Sequence, residues 1–307
     1  MSKLDLRIIN NWMYRNAREL DLNIWKCLFM NGSAEDVANS LLHYQNEDGG
    51  FGNGLDPDNW NPNSLPYACF YAIETLHMVK FFDMDHPVYK GIKKYLENTG
   101  IEQWSFTLPS NEEYPHAAFY NYSKEYNDVQ SLGIVISLSA FVLEYMPNTA
   151  IYESVMERLD SFIKKIYEND LGDMGPSSYI TLVDTMQRVN ICGYDYDEIQ
   201  DRLCTIVNEQ MQKEEKMWDS YGYRPSDFIK SNNSIFLKGN EAIVKKECDY
   251  LIRTIPENDI WPVAWCWFEN AQKYPKEEII SLHVAKARKC IERVKFLKEF
   301  NRVKSNI

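Results

Sequence analysis

The sequence predicts an all-α protein, and three observations carry that reading. Apolar residues recur at helical spacing along most of the 307 residues. Strict alternation of apolar and polar residues is nearly absent, so little reads as β. A double glycine, Gly49-Gly50, separates two helix-length apolar runs, as a sharp helix-to-helix turn requires.

Taken in order, residues 4–30 place Leu4, Ile8, Ile9, Trp12 and Met13, then Ile24, Leu28 and Phe29, on helical faces, with a break near Asp21. Asn31-Gly32-Ser33 closes the second of these helices, and Ser33-x-x-Asp36 has the form of a capping box opening a third that runs to Gln45. After the glycine loop, in which Gly50 is expected at positive φ and Phe51 as a buried plug, Pro66 opens a helix to about Phe82. It is apolar nearly all round, which predicts burial on both sides. Helices are predicted over 88–97, 129–146, 152–168, 178–189, 196–216 and 239–254, and a basic amphipathic one over about 277–304. Glu-Asn recurs after helices at 97, 168 and 257, echoing Glu47-Asp48, at intervals too irregular for a solenoid of fixed period. With no low-complexity linker, residues 1–307 read as one domain.

Composition excludes some functions. A net charge of −12 and a pI near 5.0 argue against nucleic acid or an anionic membrane surface as partner. No run reads as long enough to span a bilayer, and Met1-Ser2-Lys3-Leu4-Asp5 lacks a signal-peptide core, so the expected location is the cytoplasm. Seven scattered cysteines without C-x-x-C suit reduced, mostly buried thiols. The histidines (His43, His77, His86, His116, His283) are dispersed, so neither a metal nor another cofactor is expected.

Gln45-Asn46-Glu47-Asp48-Gly49-Gly50-Phe51-Gly52 resembles the Q-x-x-D-G-G-F/W-G repeat of the terpenoid cyclase and protein prenyltransferase α/α toroids. The resemblance covers about 35 residues and implies an α/α toroid, a ring of about five or six helical hairpins. Asp56-Pro57-Asp58-Asn59 is similar to the D-x-D-D acid motif of class II terpene cyclases. Carried over, Asp58 is the acid and Asp56 the neighbour that raises its pKa, although Asn59 stands where that motif has Asp. The same tetrapeptide suits a Pro-centred turn with Asx hydrogen bonds, the plainer reading. The D-x-C zinc ligands of the prenyltransferases and the D-D-x-x-D motif of class I terpene synthases are absent.

A second cluster, Glu112-Glu113-Tyr114-Pro115-His116, leads into Phe119, Tyr120 and Tyr122; His116 reads either as an acid–base group or as a loop histidine bonded to backbone. Trp60, Tyr67, Tyr71, Phe119, Tyr120, Trp261 and Trp265 are the candidate substrate-lining aromatics. The Trp261–Phe268 run reads equally as a core plug. Three functions follow: a metal-free, acid-initiated cyclase-like enzyme on an apolar polyprenyl-type small molecule, a carbohydrate-active or carbohydrate-binding barrel, and a non-catalytic scaffold or ligand-binding toroid. The sequence leaves the oligomeric state open.

Overall fold

The structure is a computed structural model and describes residues 2–304. Among the described residues there are helices, turns and three isolated bridges, and no strand. Contacts divide the chain into two compact units. One runs from the start to Ser40 and resumes at Val207; the other is Leu41–Ile206.

The first unit opens with α1 (Arg7–Asn16), α2 (Glu19–Phe29) and α3 (Ala34–Leu41). The break between α1 and α2 falls at Ala17-Arg18, both extended, rather than at Asp21. Asp21 lies in the first turn of α2, buried, and accepts from Arg18 Nε at 2.6 Å. An acidic side chain there complements the exposed N–H groups of the helix start, so the residue read as a breaker is part of an opening turn. Asn31, at φ 58, takes the chain out of α2, and Ser33 Oγ accepts from Glu35 N at 3.0 Å at the start of α3.

The second unit holds α4 (Pro66–Met78), α5 (Pro87–Thr99), α6 (Lys124–Tyr145), α7 (Ala150–Met156), α8 (Leu159–Glu168), α9 (Ser177–Arg188) and most of α10 (Tyr196–Gln210). The helix predicted over 152–168 is two helices, interrupted at Glu157-Arg158. α6 packs against α4, α7 and α9, and its residues from Ser131 to Leu143 are almost all buried. It has the length and apolarity to cross a bilayer, contrary to the expectation that no such run exists, yet 61% of its apolar window is buried inside the protein. That burial is what a core helix shows.

The glycine loop ties this unit together. Gln45 Nε2 donates to Gly49 O at 2.9 Å and to Val88 O, in the first turn of α5, at 3.0 Å. Asp48 Oδ1 accepts from Gly50 N at 2.9 Å and from Ser64 Oγ at 2.7 Å, which joins the turn to the segment leading into α4. Phe51 is fully buried, as expected. The left-handed glycine is Gly49, at φ 93, and not Gly50. Both positions exclude a side chain: a Cβ on Gly49 would stand 2.1 Å from Gly91 O, and one on Gly50 2.5 Å from Ser64 Cβ. Close approach of α5 to the loop, more than turn geometry, makes the pair obligatory.

The chain completes the first unit with α11 (Pro225–Phe228), α12 (Glu241–Thr254), α13 (Asn270–Lys273) and α14 (Pro275–Glu299). The basic residues of α14 are not all solvated: Lys298 is exposed, but others turn inward. Arg288 is buried, and it and Lys289 both bond Glu292, at 3.3 and 2.8 Å. Burial opposes ionisation of Glu292, but the two cations outweigh it and hold its carboxyl down to about 2. Trp261 and Trp267 are buried as core residues, while Trp265 is half-buried beneath Lys289. All seven cysteines are free; three are buried, two half-buried and two exposed.

Candidate functional site

Asp56-Pro57-Asp58-Asn59 is a turn. Asn59 N donates to Asp56 O at 3.2 Å, and Asp58 N donates to Asp56 Oδ1 at 2.9 Å. Two further Asx turns follow, Asn61 N to Asn59 Oδ1 at 3.1 Å and Asn63 N to Asn61 Oδ1 at 3.0 Å. Four side chains of this loop, Asp56, Asp58, Asn59 and Asn61, are nevertheless buried. The cover is the segment before α6. Trp60 N donates to Pro115 O and Ala117 N to Asp58 O, both at 2.9 Å, and Asn61 Nδ2 reaches Asn111 Oδ1 at 2.9 Å.

This pairing brings Asp56, Asp58 and His116 into one neighbourhood. Asp56 Oδ2 accepts the hydroxyl of buried Tyr120, whose pKa is driven up by burial first and then by the charge of Asp56. Both Asp56 oxygens are thus engaged in holding the loop. His116 is 1% exposed, with Nδ1 2.7 Å from the Tyr114 carbonyl and Nε2 2.9 Å from the Asn121 side-chain amide. A carbonyl only accepts, so Nδ1 carries the proton there. Tyr67 meets Phe106 and Tyr120 edge-on at 5.2 and 5.7 Å, and Phe106 stacks on Tyr120 at 5.0 Å. Trp60 is half-buried and donates from Nε1 to Pro57 O at 3.0 Å; Tyr71 is half-buried on α4, and Phe119 is exposed. Trp261 and Trp265 belong to the other unit. The two carboxyls, the histidine and the rings therefore form a packed joint between two loops.

A cavity of this unit lies elsewhere, among α4, α6 and α9, with a volume of about 210 Å³. Each helix presents one stripe at i, i+3, i+4 and i+7: Phe70, Ile73, Glu74 and His77; Ser137, Ala140, Phe141 and Glu144; Thr181, Asp184, Thr185 and Arg188. None of Asp56, Asp58 or His116 lines it. Arg188 clamps Glu144 through Nε to Oε1 at 3.0 Å and Nη2 to Oε2 at 2.5 Å, and also donates to Thr185 Oγ1 at 3.1 Å. This bidentate pair closes one side of the cavity. His77 Nε2 is sealed from solvent and has no hydrogen-bond partner. Burial lowers the His77 pKa, with Glu74 and Glu144 opposing, which favours the neutral ring with one accepting nitrogen. Asp184 stands at the exposed mouth, and the partial dehydration of its carboxyl raises its pKa.

Of these residues only His77 figures in the sequence reading, as one of the dispersed histidines. The signal that marks the others is charged or ionisable residues at helical spacing: Glu74 and His77 in the apolar α4, Glu144 near the end of the apolar α6, Asp184 and Arg188 in the mixed α9. Among the described residues no cluster of three or more His, Cys, Asp or Glu side chains could hold a metal ion. No model of a known protein family matches this chain, and no curated protein or solved structure matches it either.

Proposed function

We propose that this chain is a ligand-binding helical protein that holds a small molecule in the α4/α6/α9 cavity. The α/α-toroid architecture implied by the glycine motif, and a cytoplasmic location, are parts of the same proposal. The observation that carries it is the lining. Three helices contribute matched stripes to one space that combines an apolar floor (Phe70, Ile73, Ala140, Phe141) with a few convergent polar groups. That mixture is the usual composition of a ligand pocket. A volume of about 210 Å³ lies below the roughly 300–1,000 Å³ of drug-sized sites, which favours a compact metabolite over a polyprenyl chain. The test is a fragment screen by thermal shift with the wild type and with Thr181→Trp, which fills the cavity from α9. Hits lost in Thr181→Trp and kept in Asp58→Asn support the reading; a hit list indifferent to position 181 overturns it.

A second reading, the acid-initiated enzyme, draws on one observation. Asp58 is buried two residues from Asp56, in the joint that also holds the stacked rings of Phe106 and Tyr120. Turnover of any identified substrate by Asp58→Asn at the wild-type rate eliminates it.

A further inference from the structure

We infer that the cavity among α4, α6 and α9 takes a small primary amine with a compact apolar body, its ammonium held by Glu74 and Asp184. The inference rests on the ligand-binding reading above and specifies its chemistry.

Charge complementarity comes first. Three carboxyl groups line the cavity, one from each helix, but only Glu144 is in an ion pair, with Arg188. Among the described residues Glu74 and Asp184 form no close ion pair of that kind, although Arg188 also attracts Asp184 at longer range. With one arginine against three carboxyls, the lining keeps an excess of negative charge. An anion there would meet repulsion from that excess; a cation would relieve it.

Hydrogen-bonding capacity comes next. The groups that line the space outside the Glu144–Arg188 pair and carry charge are the carboxyls of Glu74 and Asp184, and a carboxylate only accepts. The groups left open are therefore acceptors, and the complementary head is one with several N–H donors. A primary ammonium carries three, whereas a quaternary ammonium carries none and would leave the two carboxylates without a donor.

The remaining wall sets the body of the ligand. Phe70 and Phe141 face the same space as Ile73 and Ala140, so the part opposite the ammonium meets rings and aliphatic carbon.

The experiment uses the full chain and three probes of one shape: cyclohexylamine, cyclohexanol and cyclohexanecarboxylate, titrated by calorimetry at neutral pH. The expected result is an order of affinity of amine over alcohol over carboxylate. Glu74→Gln and Asp184→Asn should each weaken the amine at least tenfold while leaving the alcohol within about twofold, and Thr181→Trp should abolish all binding. Circular dichroism and melting of each variant confirm that it is folded. An alcohol or carboxylate affinity equal to or above that of the amine, lost in Thr181→Trp, overturns the amine assignment and leaves the cavity reading standing. No binding by any probe, or binding unaffected by Thr181→Trp, overturns both.

Discussion

Asp56 and Asp58 stand two residues apart, are both buried, and have different jobs. Asp56 spends one oxygen on the Asp58 amide and the other on the Tyr120 hydroxyl. Asp58 contributes to the joint through its main chain, whose carbonyl accepts from Ala117. Asp56→Ala is therefore expected to strand a fully buried tyrosine hydroxyl and cost about 1–3 kcal/mol, read as a lower urea midpoint, while Asp58→Asn leaves the midpoint nearly unchanged. The glycine pair makes a similar distinction. Gly49→Ala meets both a positive φ and the Gly91 carbonyl, so it should lower the melting temperature more than Gly50→Ala, which meets side-chain atoms of Ser64 and Tyr95. Equal melting temperatures for the two would refute that ranking. The need for glycine was legible in the sequence; which glycine turns left was not, because that depends on where α5 passes.

At the scale of elements, α11 and α12 are joined by a buried acid. Glu247, on α12, is wholly buried and accepts from Ser226 N at 2.8 Å and Ser226 Oγ at 2.6 Å. Burial pushes its carboxyl up to about 7; the Ser226 bonds and Arg224 oppose this, and Asp227 reinforces it. A folded-state pKa above the unfolded one means that the folded chain binds more protons between about pH 4.5 and 7. Stability is then lost as pH rises through that window, on the order of 3 kcal/mol if this group acts alone. Urea midpoints measured from pH 4.5 to 7.5 should fall less steeply for Glu247→Gln than for wild type; parallel curves would rule the group out as the source. Helix ends were legible in part. Asn31 and Asn169, both read from the sequence as helix ends, adopt the left-handed conformation, as do Asn148 and Asn190, which carried no such signal; of the other Glu-Asn pairs, Asn98 lies inside α5 and Asn258 is not left-handed. The split of 152–168 into α7 and α8 was hidden, since Glu157-Arg158 carries no Gly or Pro to announce it.

For the whole molecule, seven free thiols and the lack of a metal-ligating cluster among the described residues give one expectation. Melting temperatures in EDTA and in a thiol reductant should equal those in plain buffer. A drop in either would reveal a crosslink or ion that holds the fold. The charge of −12 is distributed with purpose in at least two places. The Glu292 pairs draw Arg288 and Lys289 of α14 inward, and the α4/α6/α9 cavity lining keeps an excess of negative charge.

The sequence by itself determined the helical class, most helix starts and stops, the buried Phe51 and the turn at Asp56–Asn59. Each of these depends on neighbours a few residues away: a 3.6-residue apolar period, a capping side chain, a glycine without a Cβ. It also singled out Asp56, Asp58 and His116, which the fold does bring together. Only the tertiary structure decided that they lie in a packed joint, because the 104–122 segment covers the turn from more than 40 positions away. Only the packing of α6 against α4 and α9 decided that Glu74, His77, Glu144, Asp184 and Arg188 share one cavity. A polar residue on an apolar helix shows which face departs from the pattern; what it faces depends on which helix packs there, and that is a property of contacts distant in the chain.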